Sequence, residues 1–141
     1  MTPLEYLVFP LVFLFAWISS FLWHELMHIK SQGLGWDGII YVDRLGLRAS
    51  CNSYSSISWF YYGGGILSGL VFLILSFCLS IYSLPIGYIF GMVGNTNLVY
   101  GIFEGRFIQT MNSKTYFFCR YSLYCITITV MVIIYQLVIG W

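Results

Sequence analysis

Residues 4–29 read LEYLVFPLVFLFAWISSFLWHELMHI, and this stretch decides how the rest of the chain is read. It is apolar for longer than the roughly 20 residues that a helix needs to cross the hydrocarbon core. It closes on the ionisable run His24-Glu25-Leu26-Met27-His28. No Lys or Arg precedes it, and it outruns the apolar region of a signal peptide, so it reads as a retained membrane helix.

The remainder of the 141 residues is of the same kind. The chain is 60% hydrophobic, 21% aromatic and only 8% charged, too few charges to keep a domain of this size dissolved in water. A formal net charge of +1 gives no basic footprint, so the expected surroundings are a lipid bilayer and not a nucleic acid. Three further apolar segments, at about 59–82, 86–103 and 116–139, approach spanning length. The predicted fold is a membrane all-α bundle of about four transmembrane helices in one domain. Ser83-Leu84-Pro85 is short enough to make the second and third segments an antiparallel pair.

The polar stretch from Lys30 to Ser58 is the one substantial loop. Within it, Ile39-Ile40-Tyr41-Val42 and Leu45-Gly46-Leu47-Arg48 flank Asp43-Arg44, which predicts a small β-hairpin at about 39–49. A lone hairpin is marginal in water, so this one should rest on the cytoplasmic interface or on the helices. Its edge would be free to accept an extended peptide.

Charge sets the orientation. Lys30, Arg44, Arg48, Arg106, Lys114 and Arg120 all fall after the first span or between the third and fourth. That side should be cytoplasmic, with both termini on the opposite side. Trp23, Trp36, Trp59, Tyr61, Tyr62 and Trp141 fit the aromatic belts of the two interfaces. Cys51, Cys78, Cys119 and Cys125 lack CxxC spacing and read as buried free thiols.

His24 and His28 are the only histidines, four residues apart and so on one helical face, as two ligands of a single ion must be. With Glu25 between them they form HExxH, in which the Glu is placed as general base toward a water activated by Zn2+. Ionisable residues in a membrane span are costly and mark function. A catalytic zinc keeps three protein ligands and one open position. Glu104, at the cytoplasmic end of the third span, is the first choice for the third ligand; its plain alternative is an ion pair with Arg106. Asp37 and Asp43, in the polar loop, come second.

The chain resembles the site-2 protease family of intramembrane zinc metalloproteases. Asn95-Thr96-Asn97-Leu98-Val99-Tyr100-Gly101-Ile102-Phe103-Glu104-Gly105-Arg106 looks like that family's Asn-bearing and Asp-Gly-bearing segment. Gly64-Gly65-Ile66-Leu67-Ser68-Gly69 is similar to the small-residue motif of its intervening helix. The resemblance covers residues 15 to 106, and the fourth span lies outside it. Glu104 stands where the family commonly has Asp, the usual Pro is missing, and no PDZ domain is inserted.

The resemblance implies a zinc metalloendopeptidase acting on a transmembrane protein or membrane-bound peptide substrate, with Asn97 and then Asn95 contacting substrate backbone. The residues alone leave interhelical hydrogen bonding open for both amides. The alternative function is a non-catalytic membrane metal-binding or accessory protein, which would survive Glu25→Gln.

Overall fold

A computed structural model describes residues 3–33, 37–43, 46–108 and 110–137. Four helices and a two-stranded antiparallel hairpin follow in the order α1 (Pro3–Lys30), β1 (Gly38–Asp43), β2 (Gly46–Cys51), α2 (Ile57–Ser80), α3 (Leu84–Phe107) and α4 (Ser113–Tyr135). The expected bundle with a hairpin is what the chain forms. The turn at Arg44, Trp36, Trp141 and the end of the fourth predicted span lie outside the described residues.

The helix ends carry local signals. Ser56 accepts a hydrogen bond from the Trp59 N–H at the start of α2, and Asn112 accepts one from Thr115 at the start of α4. Pro85 opens α3, where its missing N–H costs nothing. Pro10 lies inside α1, a position that membrane helices tolerate.

The bundle is apolar outside and small or polar inside. On α1, Leu11, Phe15, Ile18 and Leu22 are exposed, whereas Ala16, Ser20, His24 and His28 are buried at four-residue steps on the opposing face. Phe77 on α2 and Phe118 on α4 are 75% and 72% exposed, an arrangement that suits a lipid solvent. Three helices, α1, α2 and α4, are long and apolar enough to cross a membrane, which indicates a multi-pass membrane protein.

The third helix is different, because it is the innermost. It buries Thr96, Asn97, Tyr100 and Glu104 together with four glycines, and a helix sheathed by its neighbours needs little apolar surface. It also runs to Phe107, four residues past its predicted end, which puts Glu104 inside the helix. Close approach to α2 depends on Gly65 and Gly101: a Cβ on Gly65 would stand 2.2 Å from the Gly101 Cα.

The hairpin does rest on the helices. Register pairs Tyr41 with Arg48 and Ile40 with Ala49, and Cys51 joins Ile29 of α1 and Phe60 of α2 in a small apolar cluster. Burial pushes the Cys51 thiol up from its ordinary range, and the nearby Asp37 charge adds to this. The expectation of buried thiols holds for Cys51 alone. Cys119 is half-buried, and Cys78 and Cys125 are exposed on the bundle surface; all four are free.

Candidate metal centre

With the helices alternating in direction, the C-terminal turns of α1 and α3 meet the N-terminal turns of α2 and α4 at one end of the bundle. His24, Glu25 and His28 come from α1 and Glu104 from α3, and all four are buried, at 3%, 6%, 3% and 5% exposure. Ligand atoms of His24, Glu25 and His28 lie within 4.8 Å of one another. Glu104 is drawn in more closely still. Its Oε2 is 2.9 Å from His24 Nε2 and 3.3 Å from His28 Nε2, and the two Nε2 atoms are 3.0 Å apart.

That triangle fits a metal ion. Two ligands each about 2.1 Å from a tetrahedral zinc are about 3.4 Å apart, close to the longest side and a few tenths above the others. The proton count points the same way. His28 Nδ1–H donates to the Phe60 carbonyl at 2.6 Å, so in the neutral ring Nε2 carries a lone pair. The carboxylate is an acceptor as well. With both rings neutral, at most one proton, on His24 Nε2, serves the three atoms, and the His28–Glu104 contact then calls for a positive charge, either a metal ion between them or a second proton on His28.

Support reaches the cluster from around it. The Phe60 carbonyl fixes His28 in the way that partners outside the coordination sphere commonly orient metal-binding histidines. Tyr116 of α4 donates its hydroxyl to Glu104 Oε1 at 3.1 Å, leaving Oε2 to face the histidines. Tyr116 also hydrogen-bonds Tyr100, whose ring centroid is 5.1 Å from that of His24. Gly64 makes room for His28: a Cβ there would come within 2.4 Å of the ring.

A cavity of about 270 Å³ opens beside the cluster, lined by Glu25, His28 and Glu104 with Tyr54, Tyr61, Arg48 and Arg120 among others. Asn97 is buried, with no hydrogen-bond partner for Nδ2 among the described residues, and Asn95 donates to the Gly91 carbonyl of its own helix at 3.0 Å. Neither amide is among the residues lining the cavity. Asp37 is exposed, accepts a hydrogen bond from Asn52 and borders a separate hollow with Gln32 and Ser53. The Asp43 side chain lies outside the described residues.

Four contributors stand apart from the sequence-based assignments. Arg120, counted there as a flanking charge, lies inside α4 and faces the cavity. An ionisable group five residues into an apolar segment was the signal for it. Tyr61, assigned to an interfacial belt, lines the cavity instead. Tyr116 and the Phe60 carbonyl carry no mark in the sequence, since a tyrosine or a backbone group near a helix end is ordinary. Compared with protein-family models, curated proteins and solved structures, the chain finds no match.

Proposed function

We propose that this chain is an intramembrane zinc metallopeptidase in which His24 Nε2, His28 Nε2 and Glu104 Oε2 hold the ion and Glu25 is the general base. One observation carries the assignment: three ligand atoms from two helices converge at 2.9, 3.0 and 3.3 Å inside an apolar bundle. Stability does not explain such a cluster. A charged side chain in a span costs about 2.5–3.5 kcal/mol by insertion scales, and an interhelical hydrogen bond returns about 0.6 kcal/mol.

Zinc at these three atoms would supply Lewis-acid polarisation of a water and of a peptide carbonyl. The chain's own residues would do the rest. Glu25, facing the cavity, takes a proton from the water as its oxygen bonds to the carbonyl carbon. It then passes that proton to the amine nitrogen as the C–N bond breaks. Phe60 and Tyr116 hold His28 and Glu104 in register throughout.

The order of HExxH helix, hairpin, Gly-rich helix and acid-bearing helix supports a site-2-protease-like enzyme acting on a transmembrane or membrane-bound peptide. The substrate must unwind locally, since helical peptide bonds are covered by their own hydrogen bonds. Of the two amides, Asn97 would be the one to meet it, since Asn95 is already committed to Gly91. The end bearing the cluster, with Lys30 and Lys114 at its helix termini, would face the cytoplasm.

Zinc per chain, measured on detergent-purified protein, tests the site before any substrate is known. About one zinc in wild type, lost or greatly weakened in His24→Ala and Glu104→Ala, is the expected result. Zinc retained in full by Glu104→Ala would remove Glu104 from the ligand set. Glu25→Gln should keep its zinc and lose about 10²–10⁴-fold in hydrolysis of a membrane peptide; unchanged hydrolysis would sink the role of Glu25.

A further inference from the structure

Two guanidinium groups face the cavity that holds the metal cluster. Arg48 comes from β2 and Arg120 from α4, and both line the space of about 270 Å³ together with Glu25, His28 and Glu104. The Arg120 guanidinium carbon lies 4.8 Å from the Tyr100 ring centroid and 5.8 Å from that of Tyr124. Stacking on rings orients a guanidinium while leaving its N–H edge available. A guanidinium offers about five N–H donors. The ion pairs among the described residues join Glu104 to the two histidines, and none puts a carboxylate on Arg120.

Charge balance then asks for an anion. Glu25 and Glu104 bring two negative charges to the cavity and Arg120 one positive charge. A divalent cation held by His24, His28 and Glu104 would leave these groups with a formal charge of about +1, and a neutral apolar segment entering the cavity would bury that charge uncompensated. Size narrows the choice. A space of about 270 Å³ lies below the common range for ligand pockets, so it takes one or two residues and not a helix.

We propose that Arg120 forms a carboxylate subsite beside the metal cluster. Its substrates are then membrane peptides that carry a carboxylate next to the bond that is cut. The proposal rests on the metallopeptidase reading above. The carboxylate belongs to a chain terminus or to an acidic side chain, and Arg120 meets either through a two-pronged hydrogen bond. Arg120 is in this way a specificity-determining residue, and α4 takes part in substrate choice as well as in covering the bundle.

The test uses the full chain in detergent, loaded with zinc, and three probes followed by titration calorimetry. These are N-acetyl-phenylalanine, its neutral amide, and N-acetyl-glutamic acid α-amide, with zinc per chain read in every sample. At least one acid should bind wild type about tenfold or more tighter than the neutral amide, and the tighter acid identifies the source of the carboxylate. Arg120→Gln should bring acid and amide to within about threefold, with zinc per chain unchanged. Arg120→Lys keeps the charge, loses the fork and should fall between; it also serves if Arg120→Gln does not fold. Equal binding of acids and amide by wild type overturns the proposal. So does an acid preference that survives Arg120→Gln, which would place the carboxylate on the metal alone. Should wild type bind no zinc, the metallopeptidase reading fails separately. An Arg120-dependent acid preference in that metal-free protein would still support the subsite, and its absence would end it.

Discussion

Gly64→Ala tests the metal centre without replacing any proposed ligand. The added Cβ would lie 2.4 Å from Cε1 and Nε2 of His28 and 2.5 Å from its Nδ1, whereas ordinary contact begins at 3.4 Å. The ring must therefore retreat by the difference, 1.0 Å, or the helices must part by as much. Neither is cheap. His28 is held by the Phe60 carbonyl at 2.6 Å and stacks on the Phe60 ring with centroids 4.7 Å apart, so its retreat breaks both contacts. Metal–ligand distances tolerate only about ±0.2 Å, so a shift five times larger removes His28 from the ligand set. Loss of an orienting partner alone weakens metal binding about 10–100-fold, and this substitution displaces a ligand as well, so at least about 100-fold is expected. Competition for zinc against a coloured chelator measures it. Helix content by circular dichroism should be unchanged, because Ala favours a helix over Gly by about 1 kcal/mol. Gly33→Ala, where an added Cβ meets nothing within 4 Å, is the control. Zinc affinity of Gly64→Ala within about threefold of wild type would refute the placement of His28 against α2, and with it the assembled site.

Three further outcomes follow from separate contacts. Tyr116→Phe removes the donor to Glu104 Oε1 and should weaken zinc about 10–100-fold in the same competition assay, with the fold intact. Gly65→Ala drives a Cβ to 2.2 Å from the Gly101 Cα and should lower stability in detergent by about 1–3 kcal/mol, seen as a lower midpoint of thermal unfolding. Alkylation of Cys51 requires its thiolate, and burial holds that thiol up. In a chain with its other three cysteines replaced by serine, modification should therefore set in at higher pH than for a free thiol. Reaction at the ordinary thiol pH would show that Cys51 is not packed against Ile29 of α1 and Phe60 of α2.

The sequence by itself determined the elements and the two-histidine core of the site. Long apolar runs force helices, because a bilayer leaves backbone groups no partner but their own chain. The four-residue spacing of His24 and His28 puts both rings on one face in any α-helix. Glu104 was legible as a candidate because it stands at the end of the third apolar segment, at a depth similar to that of Glu25.

Tertiary structure alone decided the rest. The third helix is poorly apolar because it is enclosed, and enclosure depends on neighbours far away in the chain. Arg120 reads as a boundary charge until α4 is packed against α3, where the rings of Tyr100 and Tyr124 receive it. Tyr116 and the Phe60 carbonyl become supports for Glu104 and His28 through contacts between helices. Those contacts fix distances to tenths of an ångström, and periodicity along one helix contains no information about the position of the next.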